Sequence, residues 1–296
     1  MAEVTGWLAM SHGPQLMVKP DQWNVLHDRH KNLAVRPELE RETLDDKWAK
    51  WNRCMAAIDV LRRKLAALAP DVLVILADDQ DENVQDNVMP PFTVFVGEEA
   101  DASISLSYFK EPRSANKTRY KTDAGLAMWL VEELMEAGFD PAWSKELRYE
   151  GGLGHAFARV LKFLTPDANL PVVPVMVNTY YPPAPSAKRC IAFGHALAEA
   201  LARSPEKSKV AIIASGGLSH TIIDESLDHG VLDAMKANDL AYLGAVPSAT
   251  LVAGTSEIRN WIAAAAAANR PATVVDYVPC YRIPTGVGCG MGFAYW

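Results

Sequence analysis

Seven histidines bound the metal and acid–base chemistry open to this chain: His12, His27, His30, His155, His195, His220 and His229. Three polar clusters stand out around them. Ser11-His12-Gly13-Pro14 follows an apolar stretch at 3–10, Asp78-Asp79-Gln80-Asp81-Glu82 follows the run DVLVIL, and Gly216-Gly217-Leu218-Ser219-His220 follows KVAIIA. Five consecutive polar residues directly after a buried strand are costly unless they are paired or bind something. Gly216 and Gly217 permit a tight turn and close approach of backbone to a ligand. Glu257, in the first turn of an expected helix at 256–268, is a fourth candidate. Beside His12 it completes the kind of histidine-plus-carboxylate set that holds non-haem Fe(II) with open positions. A histidine near neutrality can also take and return protons.

Taken singly, each group also has a structural explanation. His12 can cap the turn before Pro14, residues 78–82 can be a solvated acidic loop, and His220 can be a surface-loop histidine. A carboxylate at the Glu257 position suits a helix dipole whatever the function. His27 and His30 read as surface helix residues. The four cysteines, Cys54, Cys190, Cys280 and Cys289, never form a C-x-x-C pair. Neither a zinc knuckle nor a disulfide framework is expected, and buried, reduced thiols are the default. The tail Gly286-Val-Gly-Cys-Gly-Met-Gly292 has no helix after it, so it is no dinucleotide fingerprint. Alternating glycines there strip one face of a strand instead. Walker A and Gly-x-Ser-x-Gly sequences are absent.

The elements that must position these groups alternate. Strands are expected at 3–10, 71–76, 171–178 and 209–214, the last three as continuous apolar runs covered on both faces. Apolar residues at steps of three and four from Trp48 to Leu68 mark a long amphipathic helix over 44–69. Further helices are expected at 123–138, 156–164, 186–203, 228–243 and 256–268, before a β-rich tail. The class is therefore α/β, a single domain over 1–296 with a central, mostly parallel sheet flanked by helices. In such a sheet the ligand crevice lies beyond the carboxyl ends of the strands. If the strands ahead of the three clusters are parallel neighbours, the clusters converge there.

Of 296 residues, 49% are hydrophobic and 22% charged, enough apolar surface for a real core. The net charge of −7 gives no bulk attraction for nucleic acid or anionic lipid. No apolar run approaches the ~18 residues of a membrane span. The start, MAEVTGWLAM, lacks a basic region followed by a long apolar one, so a cytoplasmic protein is expected.

With these motifs in order, the chain resembles the class III, LigB-type extradiol ring-cleavage dioxygenases over nearly its whole length, most closely their gallate and 3-O-methylgallate branch. The resemblance rests on Ser11-His12-Gly13-Pro14 with Trp23, on Asp78-Asp79-Gln80-x-Glu82 followed by Asn87-Val-Met-Pro90-x-Phe92, and on Gly152-Leu-Gly-His155. It continues through Val173-Pro-Val-x-Val-Asn178-Thr, Pro185-Ser186-Ala-Lys-Arg189-Cys190, Gly216-Gly-Leu-Ser-His220, Gly254-Thr-Ser-Glu257-x-x-x-Trp261 and Tyr281-Arg282. It implies Fe(II) held by His12 and Glu257, His220 as the acid–base residue, and His155 as a hydrogen-bond partner of substrate or the oxygen adduct. Substrates would be a small aromatic diol of the gallate, 3-O-methylgallate or protocatechuate type, and O2. A homodimer is an analogy with the family.

The second motif departs from the family pattern. Catechol-type members carry a ligand histidine where a gapless reading puts Gln80, so Gln80 is the expected third ligand. Asp79 or Glu82 could substitute, the metal site could be altered, and His27 and His30 are further stand-ins. The same departure keeps open a metal-dependent hydrolase or other non-oxidative enzyme on this scaffold. A non-catalytic binding protein is disfavoured, because it has no need of His12, His155, His220 and Glu257 together.

Overall fold

The apolar runs that read as buried strands all enter one sheet. The computed structural model describes residues 2–26 and 33–296; His27 and His30, named above as stand-in ligands, lie outside the described residues. In chain order the elements are β1 (Glu3–Met10), α1 (Leu44–Leu68), β2 (Val72–Asp78), β3 (Phe92–Phe95), β4 (Glu99–Ser103), β5 (Lys117–Lys121), α2 (Ala124–Glu136), β6 (Ala142–Ser144), α3 (His155–Leu164), β7 (Val172–Val177), α4 (Ala187–Arg203), β8 (Lys209–Ser215), β9 (His220–Ile222), α5 (Glu225–Ala237), α6 (Leu240–Ala245), α7 (Ile258–Ala268), β10 (Thr273–Tyr281) and β11 (Val287–Tyr295).

The sheet runs β10-β11-β1-β8-β2-β7-β3-β6, with β9 paired to β11. Its centre, β1-β8-β2-β7, is parallel. Antiparallel neighbours flank it, β11 on β1 and β3 on β7. This is the expected α/β architecture, with a mixed sheet parallel where it matters for the site. Side chains alternate along β2 in the manner of a strand buried on both faces. Val72, Val74 and Leu76 join one core with residues of α2, α4 and α7, while Leu73, Ile75 and Ala77 join the other with residues of α1 and α3. The start of α1 is fixed by a reciprocal capping box between Thr43 and Asp46.

Three details differ from the sequence reading. The helix expected over 228–243 is two, α5 and α6, because Asn238 turns left-handed (φ 54°) and Asp239 caps the second. The helix expected from 256 begins at Ile258, after a 3-10 turn over Ala253–Glu257. The hairpin β4–β5, a separate two-stranded sheet, was not foreseen; its charged second strand has only Tyr120 buried. The β11 glycines do leave a bare face. A Cβ at Gly290 would lie 2.2 Å from Asp228 Oδ2, and one at Gly292 2.8 Å from Trp261. Among the described residues no helix is long and apolar enough to cross a membrane.

Candidate metal centre and its cleft

Parallel β1, β8 and β2 end side by side, with Met10 in register with Ser215 and Leu76 with Ala214. Residues at and just beyond those ends therefore meet, and the structure brings His12, Asp78, His220 and Glu257 together there. His12 is buried, with Nδ1 3.0 Å from Ser215 Oγ. The Ser215 hydroxyl donates its single proton to the Ala156 carbonyl at 2.6 Å. Ser215 Oγ must then accept from His12 Nδ1–H, which leaves the Nε2 lone pair free. That nitrogen lies 3.6 Å from Glu257 Oε2. Burial pushes His12 down to about 3 against the pull of Glu257, so the ring is neutral at pH 7.

Asp78, the last residue of β2, is fully buried. Its Oδ2 accepts from Gln80 Nε2 at 2.9 Å, and its Oδ1 has no hydrogen-bond partner among the described residues. Burial, reinforced by Glu257, pushes its pKa up to about 7. A buried carboxylate oxygen without a donor is destabilising until something positive satisfies it. Donor atoms of His12, Asp78 and Glu257 all lie within 4.8 Å of one another. One imidazole lone pair and two carboxylates are a fitting donor set for a divalent transition metal.

Glu257 takes its place in the 3-10 turn before α7. Its Oε2 accepts the Gly217 N–H at 2.9 Å, and its Oε1 faces His220 Nε2 and Gln80 Nε2, each at 3.1 Å. Burial, the largest single influence, would raise this carboxyl, but His220, His12 and His155 together outweigh it and hold it at about 2. Gly216 (φ +136°) shapes the loop opposite, where a Cβ would sit 3.0 Å from Glu257 Cβ. Two donors from α7 pin that loop, Asn260 Nδ2 to the Ser215 carbonyl and Trp261 Nε1 to the Gly216 carbonyl.

The acidic run has other partners than the expected ones. Gln80 turns its amide nitrogen, not its oxygen, toward Asp78 and Glu257. Asp79 caps its own turn by accepting from the backbone of Glu82, Asn83 and Val84. Glu82 accepts from the His155 N–H at 3.1 Å and faces His155 Nδ1 at 3.0 Å. Among the described acidic residues it is Asp78, still inside the strand, and not Asp79 or Glu82, whose donor atom lies within 4.8 Å of those of His12 and Glu257.

His220 sits between glycines. A Cβ at Gly254 would fall 2.0 Å from its Cδ2, and one at Gly217 3.1 Å from its Nδ1. Nδ1 donates to the Leu218 carbonyl at 3.1 Å while Nε2 faces Glu257. With acceptors on both sides the ring favours its charged form; burial opposes this, Glu257 outweighs it, and the pKa rises to about 10. His155 opens α3 against the His12 ring, edge to face with centroids 5.1 Å apart. Burial lowers its pKa and Glu82 more than offsets that.

Two residues escaped the sequence reading. Asp228, fully buried in α5, accepts from the Ser219 N–H (2.6 Å), the Ser219 hydroxyl (2.8 Å) and the Tyr277 hydroxyl (2.7 Å), and so fixes the loop just before His220. In sequence it looks like an ordinary carboxylate of a first helical turn. Arg159, one turn after His155, is buried and donates from Nη1 to the His12 carbonyl at 3.2 Å. Only its i+4 spacing from His155 could have pointed to it.

Above the cluster opens a cleft of about 1070 Å³, lined among others by Tyr108, Tyr149, Tyr180, Tyr181, Arg159 and Arg282. Aromatic walls around a few converging polar groups are what a small-molecule site requires.

Residues 7–292 match the family model described as the catalytic LigB subunit of aromatic ring-opening dioxygenase. A 2,3-dihydroxyphenylpropionate/2,3-dihydroxicinnamic acid 1,2-dioxygenase of Rhodococcus sp is 30% identical over 192 residues, 64% of this chain and 54% of that one. The protein of the same description from Paraburkholderia xenovorans (strain LB400) is 32% identical over 160 residues, 54% of this chain and 46% of that one. The chain therefore spans about half the length of the curated relatives it matches. A crystal structure of an uncharacterised Escherichia coli K12 protein superposes with a TM-score of 0.55 at 17% identity, covering 98% of both chains, a likeness of fold.

Proposed function

This chain belongs to the family of catalytic LigB subunits of aromatic ring-opening dioxygenases, and from that premise we propose that it is an Fe(II)-dependent extradiol dioxygenase acting on a catecholic aromatic acid. The observation that carries the reading is the donor set at the cleft floor: the free Nε2 lone pair of His12, the unpartnered Oδ1 of Asp78, and Glu257, within 4.8 Å of one another. These three residues would hold the metal. When bound there, Fe(II) supplies open positions at which a diol and O2 are held side by side, replacing a bimolecular encounter.

The remaining steps fall to the chain's own side chains. Glu257 keeps His220 charged in the metal-free protein; with Glu257 committed to a metal that pull would weaken, and the neutral ring, its Nδ1–H held by Leu218, would take a proton from the diol at Nε2 as base and return it as acid. His155 is held through Nδ1 by Glu82, which leaves Nε2 to hydrogen-bond a hydroxyl in the cleft. The burial of His12, Asp78 and Glu257 excludes water and strengthens each electrostatic contact. Gln80 spaces the two carboxylates as a neutral strap. All four cysteines are buried, and a cytoplasmic setting is part of this proposal.

The substrates to test are gallate, 3-O-methylgallate and protocatechuate, together with the 2,3-dihydroxyphenylpropionate of the relatives' description. Protein purified without oxygen is assayed for iron and then screened on an oxygen electrode. Stoichiometric iron with oxygen uptake on at least one diol is the expected result. Metal binding without oxygen uptake on any of them would instead favour the non-oxidative alternative.

A further inference from the structure

Arg159 is 8% exposed, yet among the described residues its only hydrogen bond is the one from Nη1 to the His12 carbonyl, and no carboxylate lies within ion-pair distance. A guanidinium carries five N–H donors. The others have no protein acceptor among the described residues, and the side chain lines the cleft. The nearby acids are engaged elsewhere, Glu82 with His155, Glu257 with His220, and Asp78 with Gln80. Across the same wall stands Arg282, which donates to the Leu26 carbonyl, to Gln15 Oε1 at 3.2 Å and to Cys289 Sγ at 3.6 Å. Among the described residues its buried Nε has no partner, and it too has no carboxylate beside it.

A buried, unpaired charge is strongly disfavoured unless the site's ligand completes it. Burial draws the Arg159 pKa down, with Glu82 the main opposing influence, so the group is held in a costly environment. A planar guanidinium pairs bidentately with a carboxylate, the anion an aromatic acid brings into a cleft walled by tyrosines.

We propose that Arg159 is the specificity-determining residue that binds the substrate's carboxylate, with Arg282 as the second cation, so that the cleft selects diols bearing an acidic substituent over uncharged catechols. This deepens the ring-opening reading and rests on it for the word substrate; the recognition of an aromatic acid stands on the two arginines alone.

The test reads binding and not turnover. Calorimetry compares 3-phenylpropionate and 3,4-dimethoxybenzoate with their primary amides; none has a free diol, and chelator-treated protein is titrated alongside so that a carboxylate held by a metal is told apart from one held by arginine. Wild-type protein should bind each acid about 10²-fold tighter than its amide, the scale expected for a desolvated charge pair. Arg159→Met should erase that preference, and Arg159→Lys should cut it about tenfold by losing the bidentate fork. Arg282→Met should weaken both acids without touching the amides. Equal binding of acid and amide by the wild type, or no binding of either acid, overturns the proposal. So does an undiminished preference in Arg159→Met or, should that variant not fold, in Arg159→Lys. A failure to take up oxygen would leave every one of these readings intact and would count only against the ring-opening assignment.

Discussion

Gln80 is hydrogen-bonded to Asp78, the carboxylate two positions behind it, with Nε2 2.9 Å from Oδ2. The same nitrogen reaches Glu257 Oε1 at 3.1 Å, so one neutral amide spans both acids. Asp78→Asn should then abolish stoichiometric metal retention. Gln80→Leu should keep the metal but bind it about 10–100-fold more weakly, the usual effect of losing an orienting partner. Dialysis against a graded chelator followed by metal analysis separates them. Wild-type retention in Asp78→Asn would remove Asp78 from the ligand set.

Ser215 sets the His12 tautomer, because its own proton is committed to Ala156. Ser215→Ala frees the imidazole to exchange Nδ1–H for Nε2–H. Metal affinity should fall about 10–100-fold while the thermal midpoint changes little. If affinity is untouched, the hydroxyl does not orient the ring.

His220→Gln removes proton exchange at a site bounded by Gly217 and Gly254. Iron content and substrate binding should remain near normal, and turnover should fall about 10²–10⁴-fold. Gly254→Ala should act in the same direction, since its Cβ would overlap the ring. Full turnover in His220→Gln would exclude it as the acid–base group.

Stability of the metal-free protein should depend on pH through His220. Burial alone would lower its pKa, but Glu257 raises it from 6.5 to about 10 in the folded state. A raised folded pKa stabilises fully below about pH 6.5 and is lost as pH climbs toward 10. Thermal midpoints of chelator-treated protein should therefore decline across that window, and His220→Gln should flatten the decline. An equal slope in both proteins would show that the pair contributes nothing.

Asp228→Asn keeps the shape but replaces an acceptor oxygen with a donor nitrogen facing Ser219 or Tyr277. Destabilisation of about 1–3 kcal/mol is expected from the unsatisfied buried group. Tyr277→Phe, which removes one donor and leaves two, should cost less. Denaturant melts of both read the difference, and Asp228→Asn as stable as wild type would show that the contacts carry no weight.

The central strands and helices were legible because their patterns are local. Runs such as VVPVMV and the three-and-four spacing from Trp48 to Leu68 say what they are without help from the rest of the chain. The crevice was legible too, since His12, residues 78–82 and His220 all follow such strands. Roles inside it were harder to read. Asp78 and Asp79 are identical in sequence, and only the end of β2 decides that one is buried against Glu257 while the other caps a turn. Gln80 was judged by its position in a motif, whereas one of its two partners, Glu257, lies far along the chain. Arg159 and Asp228 belong to helices whose charged residues usually face solvent, and only tertiary packing shows that these two do not.

Gly292 N–H donates to Ser11 Oγ at 2.9 Å, a contact between residues 281 positions apart, and β11 pairs with β1 on one edge and β10 on the other. The residue next to His12 is thus pinned by a strand that the ribosome delivers long after it. Docking of that strand closes a very long loop, so late assembly of the pocket along the folding route is the expected order, as in high-contact-order sheets. A divalent metal held by the proposed site would on that order slow the unfolding of the finished protein without hastening its formation.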